Sequence, residues 1–316
     1  MDPATKTELF KFKAGMTQLK KELHPRNRHR GLYDLKQLIT ACPDLAKFVA
    51  INHYGNESID FTDPIAVKTL NKAILKFFYN VTWDIPEPFL CPPIPSRADH
   101  IHYIADLLSI SKGGAIPRGQ EISILDIGVG ANCIYPLIGH KEYGWSFVGA
   151  EIDPLAISIA NGIIQENDLS EIIKIRLQKS SKNIFEGIVR DNERFDLSMC
   201  NPPFHASPSQ AQSGTQRKWR NLRVKSNALN FGGQSNELWC QGGEVAFIKR
   251  MIEESVHVNC RWFTTLVAKA SHLPAIYNAL KQTKPTNVKT IEMGQGQKKS
   301  RIVAWTYQNF FIKEGP

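Results

Sequence analysis

The chain has 316 residues, of which 42% are hydrophobic and 22% charged, and its formal net charge is +9. A chain of this length and composition can bury a large core, which excludes a disordered protein and predicts a catalytic domain with a smaller appended module. The positive charge favours a polyanionic partner over an acidic one.

The cysteine pattern and the lack of long apolar runs narrow the class further. Six cysteines are irregularly spaced without a C-x-x-C pair, which argues against a zinc site or a disulfide framework. The lysine-rich N-terminus lacks the apolar core of a signal peptide, and no apolar run is long enough to span a membrane. We therefore expect a cytoplasmic protein with no metal and no membrane partner.

Most of the net positive charge of the chain lies in its first 30 residues. Between Lys6 and Arg30 there are eight Lys or Arg residues and two Glu, and residues 23–30 read LHPRNRHR. The guanidinium groups of Arg26, Arg28 and Arg30 suit RNA phosphates, so we predict RNA contact here. The alternative interpretation is a solvated basic tail.

The next segment predicts helices and then a rigid connector. A Thr-Asp-Pro cap at residues 62–64 precedes four apolar residues at helical spacing, Val67, Leu70, Ile74 and Phe77. Five prolines between residues 84 and 97 disfavour a regular element, because each proline fixes φ and removes a hydrogen-bond donor. We expect residues 1–96 to form a basic, mainly helical RNA-binding module with a proline-rich connector, and residues 97–316 to form the catalytic domain.

From residue 121, β-rich runs alternate with helical ones, which is typical of a parallel sheet with crossover helices. The predicted strands are Ile122–Ile127, Ser146–Ile152, Lys174–Gln178, Phe195–Cys200 and Trp262–Val267. Helices are predicted after Asp153-Pro154, over Glu244–Val258 and over His272–Lys281, and a terminal hairpin over Val288–Glu292 and Arg301–Tyr307. The polar stretch 205–243 between the fourth strand and its helix predicts a substrate loop.

A glycine turn follows the first strand, in the run Asp126-Ile127-Gly128-Val129-Gly130-Ala131-Asn132. Two glycines allow the backbone to approach a ligand at the carboxyl edge of the sheet. The third glycine of the dinucleotide fingerprint is missing, which disfavours a nicotinamide cofactor. Glu151 ends the second strand and can accept both hydroxyls of a ribose, as in an adenosyl cofactor; its alternative role is to cap the next helix.

Asn201-Pro202-Pro203-Phe204 follows the fourth strand. The exocyclic amine of adenine is a poor nucleophile because its lone pair is delocalised into the ring, so a site must orient it with acceptors. The Asn201 side-chain carbonyl and the Pro202 backbone carbonyl can each accept one N–H, while Phe204 stacks on the base. We predict that these four residues are catalytic; the alternative is a rigid turn.

The predicted substrate loop contains a second basic cluster. Arg217, Lys218 and Arg220 flank Trp219 without an intervening acid, and interleaved cations and aromatics suit single-stranded RNA. A mobile surface loop is the alternative. Residues 231–233 (Phe-Gly-Gly) and 239–243 (Trp-Cys-Gln-Gly-Gly) predict either a wall beside the target pocket or simple turns, and the sequence favours neither.

Several of these segments resemble the RlmF family of bacterial large-subunit ribosomal RNA adenine-N6 methyltransferases, which is related to a eukaryotic small nuclear RNA adenine methyltransferase. The matching segments are LHPRNR at 23–28, PSRADHIHYIADLL at 95–108, LDIGVGANCIYPL at 125–137, NPPFH at 201–205 and ELWCQGGE at 237–244. The resemblance implies an α/β class I S-adenosylmethionine-dependent methyltransferase fold, Rossmann-like, with seven strands of which the last is antiparallel. It also implies an RNA-binding N-terminal module.

The resemblance also implies roles for individual residues. Arg97 is expected to bind the cofactor carboxylate, and Asn201 to lie beside both cofactor and base. The other expected contacts with S-adenosylmethionine are Asp126, Gly128, Gly130, Asn132, Glu151 and Asn183.

The predicted activity is methylation of the N6 amine of a specific adenine in 23S ribosomal RNA, with the RNA or an assembling large-subunit particle as the partner. A protein glutamine-amide N-methyltransferase is the alternative, because a carboxamide nitrogen poses the same lone-pair problem. The basic N-terminus and loop disfavour that alternative. The intact run 201–204 disfavours an RNA-binding module without turnover.

Overall fold

The computed structural model describes residues 20–203, 207, 239–295 and 298–309. Its N-terminal part contains α1 (Leu35–Ala41), a 3-10 helix (Pro43–Phe48), β1 (Val49–Ile51), β2 (Glu57–Ile59) and α2 (Pro64–Tyr79). The predicted cap of α2 is confirmed, because the Asp63 carboxylate accepts the Ile65 N–H at 2.8 Å. Val67, Leu70 and Ile74 are buried as the helical spacing predicts, whereas Phe77 is 43% exposed.

The remaining elements follow from residue 94. The helices are α3 (Ile94–Ile110), α4 (Ile134–Tyr143), α5 (Pro154–Glu166), α6 (Gly243–Ser255) and α7 (Leu273–Thr283), with a 3-10 helix at Ala270–His272. The strands are β3 (Ser123–Ile127), β4 (Ser146–Glu151), β5 (Ile173–Leu177), β6 (Phe195–Cys200), β7 (Cys260–Val267), β8 (Asn287–Gln295) and β9 (Lys298–Thr306). All five predicted strands and the predicted terminal hairpin are therefore confirmed.

Strands β3 to β9 form one seven-stranded sheet in the order β5-β4-β3-β6-β7-β9-β8. The strands β3 to β7 pair in parallel, and the last strand, β9, runs antiparallel between β7 and β8. The sheet order reverses direction beside β3, where open α/β sheets bind ligands at the carboxyl ends of their strands. A ligand site is therefore expected at the carboxyl ends of β3, β4 and β6.

The two faces of the sheet pack against different helices. Ile124 belongs to a core that contains buried residues of α2, α3, α4 and α5, while its neighbour Leu125 belongs to a core that contains residues of α6 and α7. Alternate side chains of a strand point to opposite faces, so successive β3 residues serve both cores. The result is a sheet between two helical layers.

The N-terminal part shares the first of these cores. Leu38 and Ile74 lie in the same buried cluster as Ile124 of the sheet. The expected boundary between residues 96 and 97 falls inside α3, and Trp83, at the start of the proline-rich connector, is buried. The first part of the proline-rich run is irregular as predicted, but its last residues begin α3. The helical N-terminal part is thus packed onto the seven-stranded sheet.

Within these described ranges, none of the helices has the length and hydrophobicity needed to cross a lipid bilayer. The same ranges contain no group of three or more His, Cys, Asp or Glu side chains arranged to hold a metal ion.

Candidate functional site

A cavity of about 410 Å³ opens at the carboxyl ends of β3, β4 and β6. Eight of the residues predicted to form the site line this cavity: Arg97, Gly128, Gly130, Asn132, Glu151, Asn183, Asn201 and Pro203. These residues extend from Arg97 to Pro203 in the chain, so the fold brings together what the sequence analysis assigned to one site.

The glycine turn after β3 forms the floor of the cavity. Gly128 and Gly130 have φ angles of +75° and +67°, which side chains other than glycine adopt only with strain. The Gly128 N–H donates to the Ala150 carbonyl at 2.9 Å, so the turn is tied to the neighbouring strand. The positive φ angles explain why glycine is needed at both positions.

Glu151 presents a carboxylate at the edge of this turn. Its Oε2 accepts the Gly130 N–H at 2.9 Å, and its Oε1 accepts the N–H groups of Ile152 and Asp153. Burial raises the pKa of Glu151, and these three backbone hydrogen bonds oppose that rise. The cap of α5 is instead Asp153, which accepts the Leu155 N–H at 2.8 Å. The side chain of Glu151 is therefore oriented at the cavity and does not serve as the helix cap.

Arg97 of α3 brings a buried cation to the cavity. Its Nη1 donates to the Tyr135 hydroxyl at 2.9 Å, and its charge opposes the rise in pKa that burial causes at Asp126. Burial raises the pKa of Asp126 to about 8, and neither carboxylate oxygen has a hydrogen-bond partner among the residues described. Unlike the other predicted contacts, Asp126 is not part of the cavity lining; it lies at the end of β3, just before the glycine turn.

Asn132 closes the glycine turn and connects it to the proline-rich connector. Its backbone carbonyl accepts the indole N–H of Trp83 at 2.9 Å, and its side-chain oxygen accepts the Ile134 N–H at 3.2 Å. Trp83 directly precedes the predicted connector, and the Asn132 side-chain N–H donates to the Leu90 carbonyl within it at 3.5 Å, so the connector contacts the turn. The contact between Trp83 and Asn132 could not be predicted from local sequence, because the two residues are 49 positions apart.

Asn201 lies at the opposite side of the cavity, directly after β6. Its side-chain Oδ1 is buried, and no donor in the described part of the chain reaches it. A buried amide oxygen without a partner loses its hydrogen bonds to water without compensation, so it is available to a ligand's N–H group. Pro203 lines the cavity beside it, Pro202 does not, and Phe204 lies outside the described residues.

The segment before α6 supplies a further wall. Trp239, Cys240 and Gln241 line the cavity, so the wall interpretation holds for this segment. Residues 231–233 and the predicted RNA contacts Arg217, Lys218 and Arg220 lie outside the described residues.

The family of the chain follows from comparison with known proteins. A protein-family model described as RNA methyltransferase matches residues 17–309. The chain belongs to this RNA methyltransferase family.

Curated members have closely similar sequences. The chain is 57% identical over 296 residues to ribosomal RNA large subunit methyltransferase F of Pseudomonas savastanoi pv. phaseolicola, covering 91% of this chain and 90% of that protein. It is 56% identical over 314 residues to the protein of the same name from Photobacterium profundum, covering 92% and 93%.

Solved structures of human METTL16 share the fold of this RNA methyltransferase. The catalytic domain in complex with the MAT2A 3'UTR hairpin 6 matches with a TM-score of 0.78 and 31% identity, covering 92% of this chain and 98% of that one. The N-terminal domain in complex with SAH matches with a TM-score of 0.71 and 28% identity, covering 91% and 99%. The predicted class I methyltransferase fold is therefore confirmed.

The residues of the cavity fit S-adenosylmethionine, the cofactor that this fold implies. Arg97 provides a buried cation for the carboxylate of the amino-acid part, and Glu151 provides a buried carboxylate for the ribose hydroxyls. Asn183 and Ile184, in the loop after β5, also line the cavity. The donors and acceptors are thus distributed as an adenosyl amino acid requires.

Several lining residues of this RNA methyltransferase were missed from the sequence. They are Leu90, Tyr135, Gln178, Ile184, Phe247 and Arg250. Gln178 ends a predicted strand and follows the observed β5 at the carboxyl edge of the sheet, so its position was a usable signal. Tyr135, Phe247 and Arg250 lie on helices, where only tertiary packing decides which face meets the cavity.

Residues 20–30 of the basic N-terminal segment are folded onto the methyltransferase core, which corrects the alternative of a solvated tail for residues 23–30, while residues 1–19 lie outside the described residues. Leu23, Asn27 and His29 are buried. Asp99 of α3 accepts the His24 backbone N–H at 2.6 Å and the Asn27 side-chain N–H at 2.9 Å. The segment therefore contributes to the fold through contacts that lie about 75 residues away in sequence.

Two of the three predicted RNA-binding arginines of this segment, Arg26 and Arg28, form ion pairs within the protein. Arg26 donates to Asp106 at 2.7 Å and to the His102 carbonyl at 2.9 Å, and Arg28 contacts both oxygens of Glu142, at 2.7 and 3.2 Å. Arg30 forms no ion pair with any described residue. Of the three, Arg30 keeps the charge most available to a phosphate.

Proposed function

We propose that this chain methylates the N6 amine of an adenine in bacterial 23S ribosomal RNA, with S-adenosylmethionine as the methyl donor. The observation that carries the proposal is the buried, unpartnered Asn201 Oδ1 in a cavity that also contains Arg97, the glycine turn and Glu151. Membership of the RNA methyltransferase family and the names of the curated relatives support RNA as the substrate.

The proposed role of Asn201 is to orient the target amine. Its Oδ1 accepts one N–H of the amine and the Pro202 carbonyl accepts the other, which fixes the nitrogen lone pair in one direction. Bound S-adenosylmethionine supplies an activated methyl group, so the residues of the chain contribute by positioning the amine and excluding water. The prolines at 202 and 203 reduce the backbone freedom that binding would otherwise remove.

RNA recognition is proposed to involve the loop 205–243 together with the N-terminal part. Arg217, Lys218 and Arg220 supply cations for phosphates, and Arg30 supplies one from the N-terminal segment. Arg26 and Arg28 act indirectly, through the packing of that segment. The substrate is either ribosomal RNA or an assembling large-subunit particle, which places the enzyme in the cytoplasm.

A methyl-transfer assay tests the proposal against the glutamine-amide alternative. Ribosomal RNA from a strain that lacks the gene is incubated with the protein and labelled S-adenosylmethionine, and the RNA is then digested to nucleosides. We expect the label in N6-methyladenosine. Absence of label from adenosine, or label in a glutamine-containing peptide substrate instead, would overturn the assignment.

A further inference from the structure

Helix α6 holds one wall of the cofactor cavity through a single carboxylate. Glu254, in the last turn of α6, accepts the successive backbone N–H groups of Ile184, Phe185 and Glu186 at 2.8, 2.7 and 3.1 Å. The Ile184 nitrogen also lies 3.0 Å from the second carboxylate oxygen. Hydrogen bonds to an ionised acceptor are stronger than neutral ones, so the contact fixes the conformation of three consecutive residues.

The clamped residues continue directly into the cavity lining. Residues 180–184 line the cavity, and Ile184 is buried. Phe185 packs in the same buried cluster as Ile248 of α6. Arg250, one turn before Glu254, donates to the Ser181 carbonyl at 3.2 Å. Two side chains of one helix thus hold both ends of the segment 181–186.

The same helix also carries the opposite wall. Cys240 and Gln241 line the cavity just before α6 begins, and the Cys240 carbonyl accepts the Gly243 N–H at 2.9 Å. Phe247 and Arg250 line the cavity themselves. Residues 247, 250 and 254 are spaced by three and four positions, which places them on one face of the helix. That face therefore both lines the cavity and makes the hydrogen bonds that hold residues 181–186.

We propose that Glu254 is a positioning residue that sets the affinity of the cavity for the adenosyl cofactor. The Glu254 side chain is not part of the cavity lining, so it acts through the backbone of residues 184–186. Its loss weakens binding of the cofactor and leaves the rate at saturating cofactor unchanged, because the groups that orient the target amine are untouched. This role of Glu254 concerns cofactor binding and does not depend on which base is methylated.

Calorimetric titration with S-adenosylhomocysteine, without RNA, tests this role. Glu254→Ala removes the acceptor, and we expect the Kd to rise about tenfold or more. Glu254→Gln keeps one acceptor oxygen without the charge, and we expect a rise of about threefold. Glu253→Gln removes an exposed carboxylate from the neighbouring position of α6, and its Kd should stay within about twofold of the wild type.

Hydrogen–deuterium exchange provides a second measurement that does not rely on affinity. The amides of Ile184, Phe185 and Glu186 should exchange faster in Glu254→Gln than in Glu253→Gln. If Glu254→Ala does not fold, the Gln variant and its amide exchange decide the question. Wild-type affinity together with wild-type exchange would overturn the proposal. So would a lower kcat at saturating S-adenosylmethionine with unchanged affinity for S-adenosylhomocysteine.

Discussion

Gly130 donates its backbone N–H to the Glu151 carboxylate at 2.9 Å, across 21 residues of chain. The hydrogen bond joins the glycine turn after β3 to the end of β4, so the turn and the Glu151 carboxylate, both of which line the cavity, are held together. A change in the turn is therefore transmitted to the carboxylate. The site can therefore be tested by replacing glycines of the turn as well as by replacing the side chains that line the cavity.

Gly128→Ala tests the need for a left-handed conformation in the turn. No atom lies within 4 Å of the added Cβ, so the expected cost arises from the φ angle of +75°. We expect the free energy of unfolding to fall by about 1–2 kcal/mol. Because Gly128 lines the cavity, affinity for S-adenosylhomocysteine should fall as well. Chemical denaturation and calorimetry measure the two effects.

Gly162→Ala is the matched control for this substitution. Gly162 is exposed on α5, has no atom within 4 Å of an added Cβ and has no positive φ angle. The variant should be more stable than the wild type by up to about 1 kcal/mol, because alanine favours a helix. Equal effects of the two substitutions would show that the turn is not strained.

The buried Asp126 predicts a pH dependence of stability in the cofactor-free protein. Burial raises its pKa from 3.8 to about 8, so the folded protein keeps this carboxyl protonated where the unfolded chain ionises it. The contribution to stability is therefore complete below about pH 4 and is lost as the pH rises through 8. Asp126→Asn should remove this slope, which cannot exceed about 1.4 kcal/mol per pH unit for one proton.

The comparison needs denaturation curves of wild type and variant between pH 5 and 9. Asp191→Asn, at an exposed position, controls for the loss of one negative charge. The difference in free energy of unfolding between wild type and Asp126→Asn should widen with pH, in favour of the variant. A constant difference would mean that Asp126 is ionised in the folded protein.

The sequence predicted the parts of the structure that depend on local chemistry. Asp63 and Asp153 cap their helices as expected, since an Asp-Pro pair carries its capping function within a few residues. The strands and the glycine turn were also predicted correctly, because their sequence signals lie within a few residues. The Glu254 clamp was not, because an acid at the end of a helix gives no sign of three amide partners almost 70 residues earlier in the chain.

The basic N-terminal segment shows why charge alone misleads. A guanidinium group satisfies a carboxylate as well as it satisfies a phosphate, and the carboxylates here belong to Asp106 and Glu142, 80 and 114 residues further along the chain. Only the folded structure distinguishes the two partners.

Arg26→Ala tests the packing role of that segment. The substitution removes hydrogen bonds to Asp106, the His102 carbonyl and Tyr143, and we expect a loss of about 1–3 kcal/mol in the free energy of unfolding. At temperatures where the variant is folded, the slope of log Kd for RNA against log salt should match the wild type.

Arg30→Ala is the contrasting variant. It removes a cation that has no ion pair among the described residues, so stability should change little. RNA binding should weaken and the salt slope should decrease by about one. If instead Arg26→Ala reduces the slope and Arg30→Ala does not, then Arg26 is the residue that contacts a phosphate and Arg30 is not.

The most direct test of the account is single-turnover methyl transfer by Asn201→Ala at saturating S-adenosylmethionine and ribosomal RNA. Removing one positioned acceptor should lower the rate about 10²–10³-fold. Asn201→Asp, which keeps an acceptor oxygen, should retain more activity than the alanine variant. Affinities for RNA and S-adenosylhomocysteine should stay within about threefold of the wild type. A wild-type rate for Asn201→Ala would contradict the central claim that this amide oxygen orients the target amine.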